Sequence, residues 1–247
     1  MIYSIFAALT VVLVSFIGII FTSNLVKKTV TKYLQYLVTF SAGIFLFTAF
    51  NLFRESLEIS TPSVILGGVF LGFILLFFLE KLLPESHHHH GEDCNHYHEK
   101  RGAIRMLVGD AFHKITDGII IVPAFFVSFT VGVITTLSIL VHEVIHNISE
   151  YFVLINAGYS PRQAILRNAG VSTAIFIGVI IGLLINSTGL IQALLLSFSS
   201  GVFIYLVVHD LAPVSVFRKS SKEIITHAVY FILGLVIFYV ISIFLPH

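Results

Sequence analysis

Charged residues are scarce in this chain. Of its 247 residues, 11% are charged and 57% are hydrophobic, whereas soluble globular domains carry about 25% charged and about 45–50% apolar residues. Such a chain cannot cover a water-facing surface with its own polar groups. The 14 Lys and Arg residues nearly balance the 13 Asp and Glu residues, so there is no excess of positive charge to attract nucleic acid. The composition excludes a soluble enzyme and a nucleic-acid-binding protein.

Cysteine is almost absent, and tryptophan is absent altogether. The single cysteine, Cys94, has no partner for a disulfide within the chain, which excludes a disulfide-stabilised secreted scaffold and dithiol redox chemistry. Phenylalanine is abundant instead, with 24 residues, and the mean hydropathy is +0.98. These values are typical of a membrane protein, in which function comes from local polar clusters.

Long uncharged runs divide the chain into eight segments. A helix needs about 20 apolar residues to cross the hydrocarbon core. We expect membrane-spanning helices at 2–22, 33–53, 64–79, 106–128, 131–156, 164–185, 190–211 and 224–244. The first run is expected to be a retained span rather than a signal peptide, because Lys27 and Lys28 follow it and no basic residue precedes it. The pattern predicts an all-α, polytopic bundle of eight transmembrane helices, forming one domain over residues 1–247.

Basic residues are distributed unevenly between alternate loops. With the N-terminus outside, all Lys and Arg residues except Arg54 and Lys114 lie on the inner side, as the positive-inside rule requires. We therefore expect both termini outside and the hydrophilic segment 81–105 in the cytoplasm, as a loop between the third and fourth helices. The predicted location is a lipid bilayer, as a multi-pass protein of a plasma membrane or a prokaryotic cytoplasmic membrane.

Ionisable side chains are concentrated in the fourth and fifth runs. Such groups are costly inside a bilayer unless they are paired or hydrated, so by default they mark a site or a pathway. The fourth run contains GDAFHKITDG and the fifth contains HEVIHNISEYF, which supply Asp110, His113, Lys114, Asp117, His142, Glu143, His146, Asn147 and Glu150. Two adjacent helices are therefore predicted to hold the chemistry.

Helical spacing groups these side chains by face. Residues four apart share one face of a helix, which places His113 with Asp117, and His142 with His146 and Glu150. Imidazole with carboxylate is the ligand set expected for Zn²⁺ or a neighbouring transition ion, whereas Mg²⁺ and Ca²⁺ prefer oxygen cages. We expect Zn²⁺ first, with Fe²⁺, Mn²⁺ and Cd²⁺ as alternatives.

Two other interpretations of these residues remain open. The side chains could form a hydrogen-bonded polar network that joins two helices. This applies most to Asp110 and Glu150, which lie nearer the membrane surfaces.

The fifth run also satisfies HExxH, in which two histidines bind zinc and the glutamate activates water for peptide hydrolysis. An intramembrane zinc metalloprotease, with Asp117 or Asp210 as third ligand, is therefore the alternative function. His113 would close the position that a catalytic zinc keeps open, which argues against it.

A histidine-rich tract lies in the expected cytoplasmic loop. HHHHGEDCNHYH places six histidines around Cys94: His87, His88, His89, His90, His96 and His98. Tracts of this composition bind transition metals. We expect an ion acceptor or sensor there, with a merely solvated loop as the alternative.

These motifs together resemble the ZIP (Zrt/Irt-like) family of zinc and iron transporters, whose patterns read approximately HNxxDG on the fourth helix and HExPHExGD on the fifth. SAGIFLFTAFNLFRES and SSGVFIYLVVHDLAP resemble its second and seventh helices, with Asn51 where histidine is common and Glu55 matching a glutamate. By the same likeness, Asn168 and Ser172 are further candidates. The resemblance implies a transporter of Zn²⁺ or a related divalent ion into the cytoplasm, not an enzyme, and a homodimer.

The resemblance also implies a set of ligands. The primary site, halfway through the membrane, would consist of His113, Asp117, His142 and His146, and Glu143 would belong to an adjacent second site. This chain has Lys114 where the family usually has asparagine. Because its ammonium would repel a second cation, we expect a single-metal site in which Lys114 pairs with Glu143 or Asp117.

Overall fold

Helices make up the regular structure of the described part of the chain. The computed structural model describes residues 2–17, 24–82, 96–185, 189–208 and 220–245. Within these residues the α-helices are α1 Ile2–Val14, α2 Asn24–Ile59, α3 Pro62–Leu82, α4 His96–Val127, α5 Phe129–Asn156, α6 Pro161–Ser172, α7 Ile175–Ile185, α8 Leu190–Leu206 and α9 Ser221–Phe244. The all-α prediction is confirmed for these residues.

Over its described residues, each expected span coincides with helical structure, but some bounds differ. The run 164–185 is broken, since α6 ends at Ser172 and α7 begins at Ile175. The expected loop 81–105 is shorter than predicted, because α3 reaches Leu82 and α4 begins at His96. The rest of that loop, including His87 to His90 and Cys94, lies outside the described residues, as does Asp210.

Among the described residues, four helical segments are long and apolar enough to cross a membrane: Tyr33–Ile59, Phe129–Asn156, Pro161–Ile185 and Lys222–Phe244. The other apolar helices, within α1, α3 and α8, are shorter. In α4 the apolar half contains Asp110, Lys114 and Asp117, which lowers its hydropathy. Eight transmembrane helices therefore remain a prediction, and the described residues establish a helical protein with several apolar spans.

The turn between α4 and α5 consists of Ser128 alone. Its backbone is extended, and its side-chain oxygen accepts a hydrogen bond from the Val131 N–H, which caps the first turn of α5. A connection this short makes the two helices antiparallel neighbours, and they pack on each other. The short link between the fourth and fifth runs predicted this arrangement.

The helices pack as two bundles. In the site bundle, α4 packs against α5, α6 and α7, and α1 lies against the same helices. In the second bundle, α3 packs on α8, and α2 packs on α8 and α9. The bundles meet mainly along α2 and α5, with smaller contacts of α4 with α8 and α5 with α9.

Pairs of glycines allow the closest helix contacts inside each bundle. A Cβ atom at Gly118 would collide with the Ile175 carbonyl, and one at Gly178 with the Ile115 carbonyl. The second bundle repeats this arrangement between α3 and α8, at Gly72 and Gly201. Small residues that bring backbones together are typical of helices packed in lipid, so each bundle is tightly joined within itself.

Candidate metal centre

Buried ionisable groups are concentrated on the facing sides of α4 and α5. Lys114 and Glu143 have no exposed surface, and Asp110, Asp117 and Glu150 are at most 4% exposed. These side chains lie on one face of each helix because polar residues recur at intervals of three and four along the sequence. These ionisable side chains therefore share one interior region of the site bundle.

One possible ligand group consists of His113, His142 and Glu143, and we call it the His142 group. Each offers one donor atom, and these atoms lie within 4.8 Å of one another. Asp117 adjoins the group, with its Oδ2 3.7 Å from His113 Nε2. Neither ring nitrogen of His142 has a hydrogen-bond partner among the described residues, which fits a side chain available to bind a cation.

A second possible ligand group consists of Asp110, His146 and Glu150, the His146 group. His146 Nδ1 lies 3.5 Å from Asp110 Oδ1 and 3.7 Å from Glu150 Oε1. The imidazoles of His142 and His146 are stacked, with ring centroids 5.4 Å apart. The two groups are therefore direct neighbours along the α4–α5 interface.

Lys114 joins the two groups. Its Nζ lies 3.0 Å from Asp110 Oδ1 and donates a hydrogen bond to Glu143 Oε2. Asn147 Nδ2 also donates to Glu143 Oε2, at 3.1 Å, and Asn168 Nδ2 donates to the Asn147 carbonyl at 3.3 Å. One buried ammonium thus contacts a carboxylate from each group.

The structure brings the five predicted metal ligands into one region but divides them between the groups. His113, His142 and Glu143 lie together with Asp117, whereas His146 lies with Asp110 and Glu150. Of the two partners expected for Lys114, Glu143 contacts it.

Two contacts were not anticipated from the sequence, the ion pair of Lys114 with Asp110 and the hydrogen bond of Asn147 with Glu143. Both join residues four apart, so helical spacing could have indicated them.

The arrangement offers no support for the metalloprotease alternative. That function requires His142 and His146 to bind the same zinc while Glu143 activates water. Here the two histidines belong to different groups, and Glu143 is held by Lys114 and Asn147.

A cavity of about 430 Å³ lies at the end of the bundles where the α4–α5 turn is found. Its lining includes Asn51, Arg54 and Glu55 of α2, together with residues of α5 and α9. Arg54 and Glu55 form an ion pair of 2.7 Å. Polar side chains of α2 thus line one part of a cavity whose other lining residues include Phe47, Phe50 and Ile134.

Side chains from both bundles separate this cavity from the His142 group. Thr48 and Ser138 share a hydrogen bond of 2.5 Å between α2 and α5, and the Phe45 ring lies 4.9 Å from the His142 ring. His146, by contrast, has 34% of its side chain exposed. The ligand groups are thus covered on the cavity side and more accessible at His146.

A family model matches this chain over the region that contains both groups. The model of a family described as "ZIP Zinc transporter" matches residues 84–242. The zinc transporter YKE4 of Saccharomyces cerevisiae is 28% identical over 226 residues, covering 76% of this chain and 65% of that protein. The zinc transporter ZIP4 of Homo sapiens is 32% identical over 108 residues, covering 44% of this chain and 17% of that protein.

A third relative is the zinc transporter zipt-7.2 of Caenorhabditis elegans, which is 33% identical over 147 residues, covering 56% of this chain and 31% of that protein. The chain therefore spans less than two thirds of the length of each of these curated relatives.

Proposed function

The chain belongs to the ZIP zinc transporter family, and on that premise we propose that it moves Zn²⁺ across a membrane into the cytoplasm. The observation that carries this proposal is the burial of imidazole and carboxylate donors on two adjacent helices. Such groups are expensive in a bilayer when they serve only to join helices. Fe²⁺, Mn²⁺ and Cd²⁺ are the other ions that this donor set suits.

The donors of the His142 group match the coordination chemistry of zinc. With Asp117, the group supplies two imidazoles and two carboxylates, the number of donors that a tetrahedral Zn²⁺ site takes. In this proposal the ion is the substrate, and it exchanges its water for these side chains. Mg²⁺ and Ca²⁺ prefer sites made wholly of oxygen, so they are disfavoured.

We propose that the ion enters through the cavity beside Arg54 and Glu55 and leaves past His146. This direction rests on the predicted eight-span topology with both termini outside, in which the α4–α5 turn would lie on the outer side. The histidine-rich tract that precedes α4 would then receive the ion in the cytoplasm. A plasma or prokaryotic cytoplasmic membrane and a homodimer complete the proposal.

Movement of one bundle against the other would alternate access to the site. The ligand groups belong to the site bundle, and the contacts that cover them on the cavity side, Thr48 with Ser138 and Phe45 with His142, cross between the bundles. Rigid-body displacement would break these contacts without disturbing the glycine contacts inside either bundle.

The test is uptake of ⁶⁵Zn²⁺ by proteoliposomes containing the full chain, His142→Ala or His227→Ala. His227 is a matched control, because it is also buried but belongs to the second bundle, where it contacts Thr39 Oγ1 at 2.7 Å. We expect saturable uptake that falls at least about tenfold in His142→Ala, since even changes to groups that only orient ligands cost about 10–100-fold. Uptake in His227→Ala should persist.

Absence of uptake by the unaltered chain, or equal uptake by His142→Ala, would contradict the proposal. Glu143→Gln adds a separate check, because a protease would lose cleavage of a membrane peptide in this variant. A transporter would show no such cleavage in either form.

A further inference from the structure

The buried ammonium of Lys114 lies between two sets of metal-binding donors. Its partners are Asp110, a member of the His146 group, and Glu143, a member of the His142 group. No part of Lys114 is exposed, so water does not screen its charge as it would at a surface. A buried lysine with one partner in each of two ligand groups needs an explanation beyond local pairing.

Each group loses part of its donor set to Lys114. A carboxylate that accepts a hydrogen bond from an ammonium is a weaker ligand for a metal ion, because the two cations compete for the same oxygen atoms. An ion in the His142 group competes with Lys114 for Glu143, and an ion in the His146 group competes for Asp110. Lysine can follow either carboxylate, because its charge is carried on a flexible four-carbon chain.

The balance of formal charge favours a single ion. This buried region holds one ammonium, that of Lys114, and four carboxylates: Asp110, Asp117, Glu143 and Glu150. With all four ionised, one divalent ion leaves a single negative charge in this interior. A second divalent ion would make the interior positive, which is unfavourable in a medium of low dielectric constant.

We infer that Lys114 is a tethered cation shared by the two ligand groups, which limits the site to one divalent ion and returns to whichever group the ion has left. This inference rests on the proposed function, for which it supplies the number of ions and the order of steps. An ion in the His142 group displaces Lys114 toward Asp110. When the ion passes to the His146 group, Lys114 moves to Glu143 and closes the group behind it.

The first test is the number of zinc ions bound at saturation by the full chain in lipid nanodiscs, with the six histidines of the histidine-rich tract replaced by serine in every variant so that the tract adds no ions. Elemental analysis counts the ions, and ⁶⁵Zn²⁺ uptake is measured beside it. Lys114→Met removes the charge and keeps a long side chain, whereas Lys114→Arg keeps the charge. Lys81→Met is the control, because Lys81 is exposed and lies over the Phe77 ring. We expect one ion per chain for the unaltered chain, Lys114→Arg and Lys81→Met, and twice as many for Lys114→Met.

Two ions in the unaltered chain, or one ion in a folded Lys114→Met chain, would overturn the inference. The second test does not depend on folding of Lys114→Met. Glu150→Gln removes a donor of the His146 group and leaves both partners of Lys114 in place. We expect this variant to bind one ion and to lose most of its uptake, whereas Lys222→Gln, at an exposed position of α9, should transport normally.

Normal uptake by Glu150→Gln would overturn the transfer step between the groups. These outcomes differ from failure of the proposed function, which would appear as a lack of uptake by the unaltered chain. Normal uptake by the unaltered chain, together with an unchanged number of ions in Lys114→Met, would contradict the inference about Lys114 and leave the proposed function standing.

Discussion

The two bundles use buried polar groups in different ways. In the site bundle, buried carboxylates and Lys114 pair with side chains from a neighbouring turn or helix. In the second bundle, buried hydroxyl groups donate to nearby backbone carbonyls, as Ser56 does to Phe53 and Ser200 does to Ala49. A neutral hydroxyl that is hydrogen-bonded to a carbonyl costs far less to bury than an ionised group. Among the described residues, the buried carboxylates and the buried lysine all belong to the bundle that carries the ligand groups.

The bundles nevertheless share one way of holding their helices together. Reciprocal glycine contacts join α4 to α7 in the site bundle and α3 to α8 in the second bundle. Between the bundles, the described contacts include one hydrogen bond between two hydroxyl groups, those of Thr48 and Ser138, and the packing of the Phe45 ring on the His142 ring. Each bundle is therefore held more closely within itself than against the other, as the proposed movement of one bundle against the other requires.

The largest effect is expected from locking the bundles together. In a Cys94→Ser background, Thr48→Cys with Ser138→Cys places two thiols where the hydroxyl oxygens lie 2.5 Å apart. Oxidation should abolish zinc uptake, because a disulfide across α2 and α5 prevents relative movement, and reduction should restore it. Uptake is measured before and after treatment with reductant.

The matched control is a pair inside the second bundle, Ala49→Cys with Ser200→Cys, which joins α2 to α8 where Ser200 already contacts Ala49. Oxidation of this pair should leave uptake unchanged. Transport by the chain cross-linked between α2 and α5 would show that the bundles do not move apart.

A smaller but still large difference is expected between the two histidines of α5. His146 has 34% of its side chain exposed, whereas His142 is buried against Phe45. In a Cys94→Ser background, a thiol at His146→Cys should react with an impermeant reagent about ten times faster than one at His142→Cys, because thiol reactivity depends on access. Labelling rates are measured by mass spectrometry, and equal rates would show that the cavity-side cover is open.

Glycine substitutions should reveal how tightly each bundle is packed. A side chain at Gly72 would meet backbone of α8 and one at Gly178 would meet backbone of α4, whereas Gly67 and Gly170 have open space. We expect leucine at Gly72 or Gly178 to destabilise the fold by about 1–3 kcal/mol, the usual cost of overpacking. Leucine at Gly67 or Gly170 should have little effect on the thermal unfolding midpoint.

If only one bundle responded to these substitutions, the idea that both are internally rigid would have to be abandoned. The measurement therefore shows whether one bundle or both bundles are tightly packed.

The smallest effect is expected at the cavity, where Arg54 is 58% exposed and paired with Glu55. Arg54→Gln removes a positive charge from the proposed entrance. The KM for zinc should fall by about twofold with kcat unchanged, and the difference should shrink at high ionic strength, as for other exposed charges. Lys222→Gln, an exposed residue of α9, is the control. A change in kcat without a change in KM would argue against an entrance here.

Much of the candidate site could be predicted from the spacing of residues along single helices. His113 with Asp117 follows from the helical repeat, and so does the association of His146 with Glu150. The position of Lys114 beside Glu143 was among the expected pairings. By contrast, the break between Ser172 and Ile175 was missed, because no charged residue or proline interrupts the sequence from 168 to 185.

The sequence by itself determined which segments are helical and apolar, and which face of each helix carries ionisable groups, because these properties depend on neighbours within a few residues. The tertiary structure alone decided that His142 joins His113 and Glu143 while His146 joins Asp110 and Glu150. It also decided that Lys114 contacts both groups and that the helices divide into two bundles. These outcomes depend on the rotation and axial position of one helix against another, which side-chain packing sets and spacing along one chain does not encode.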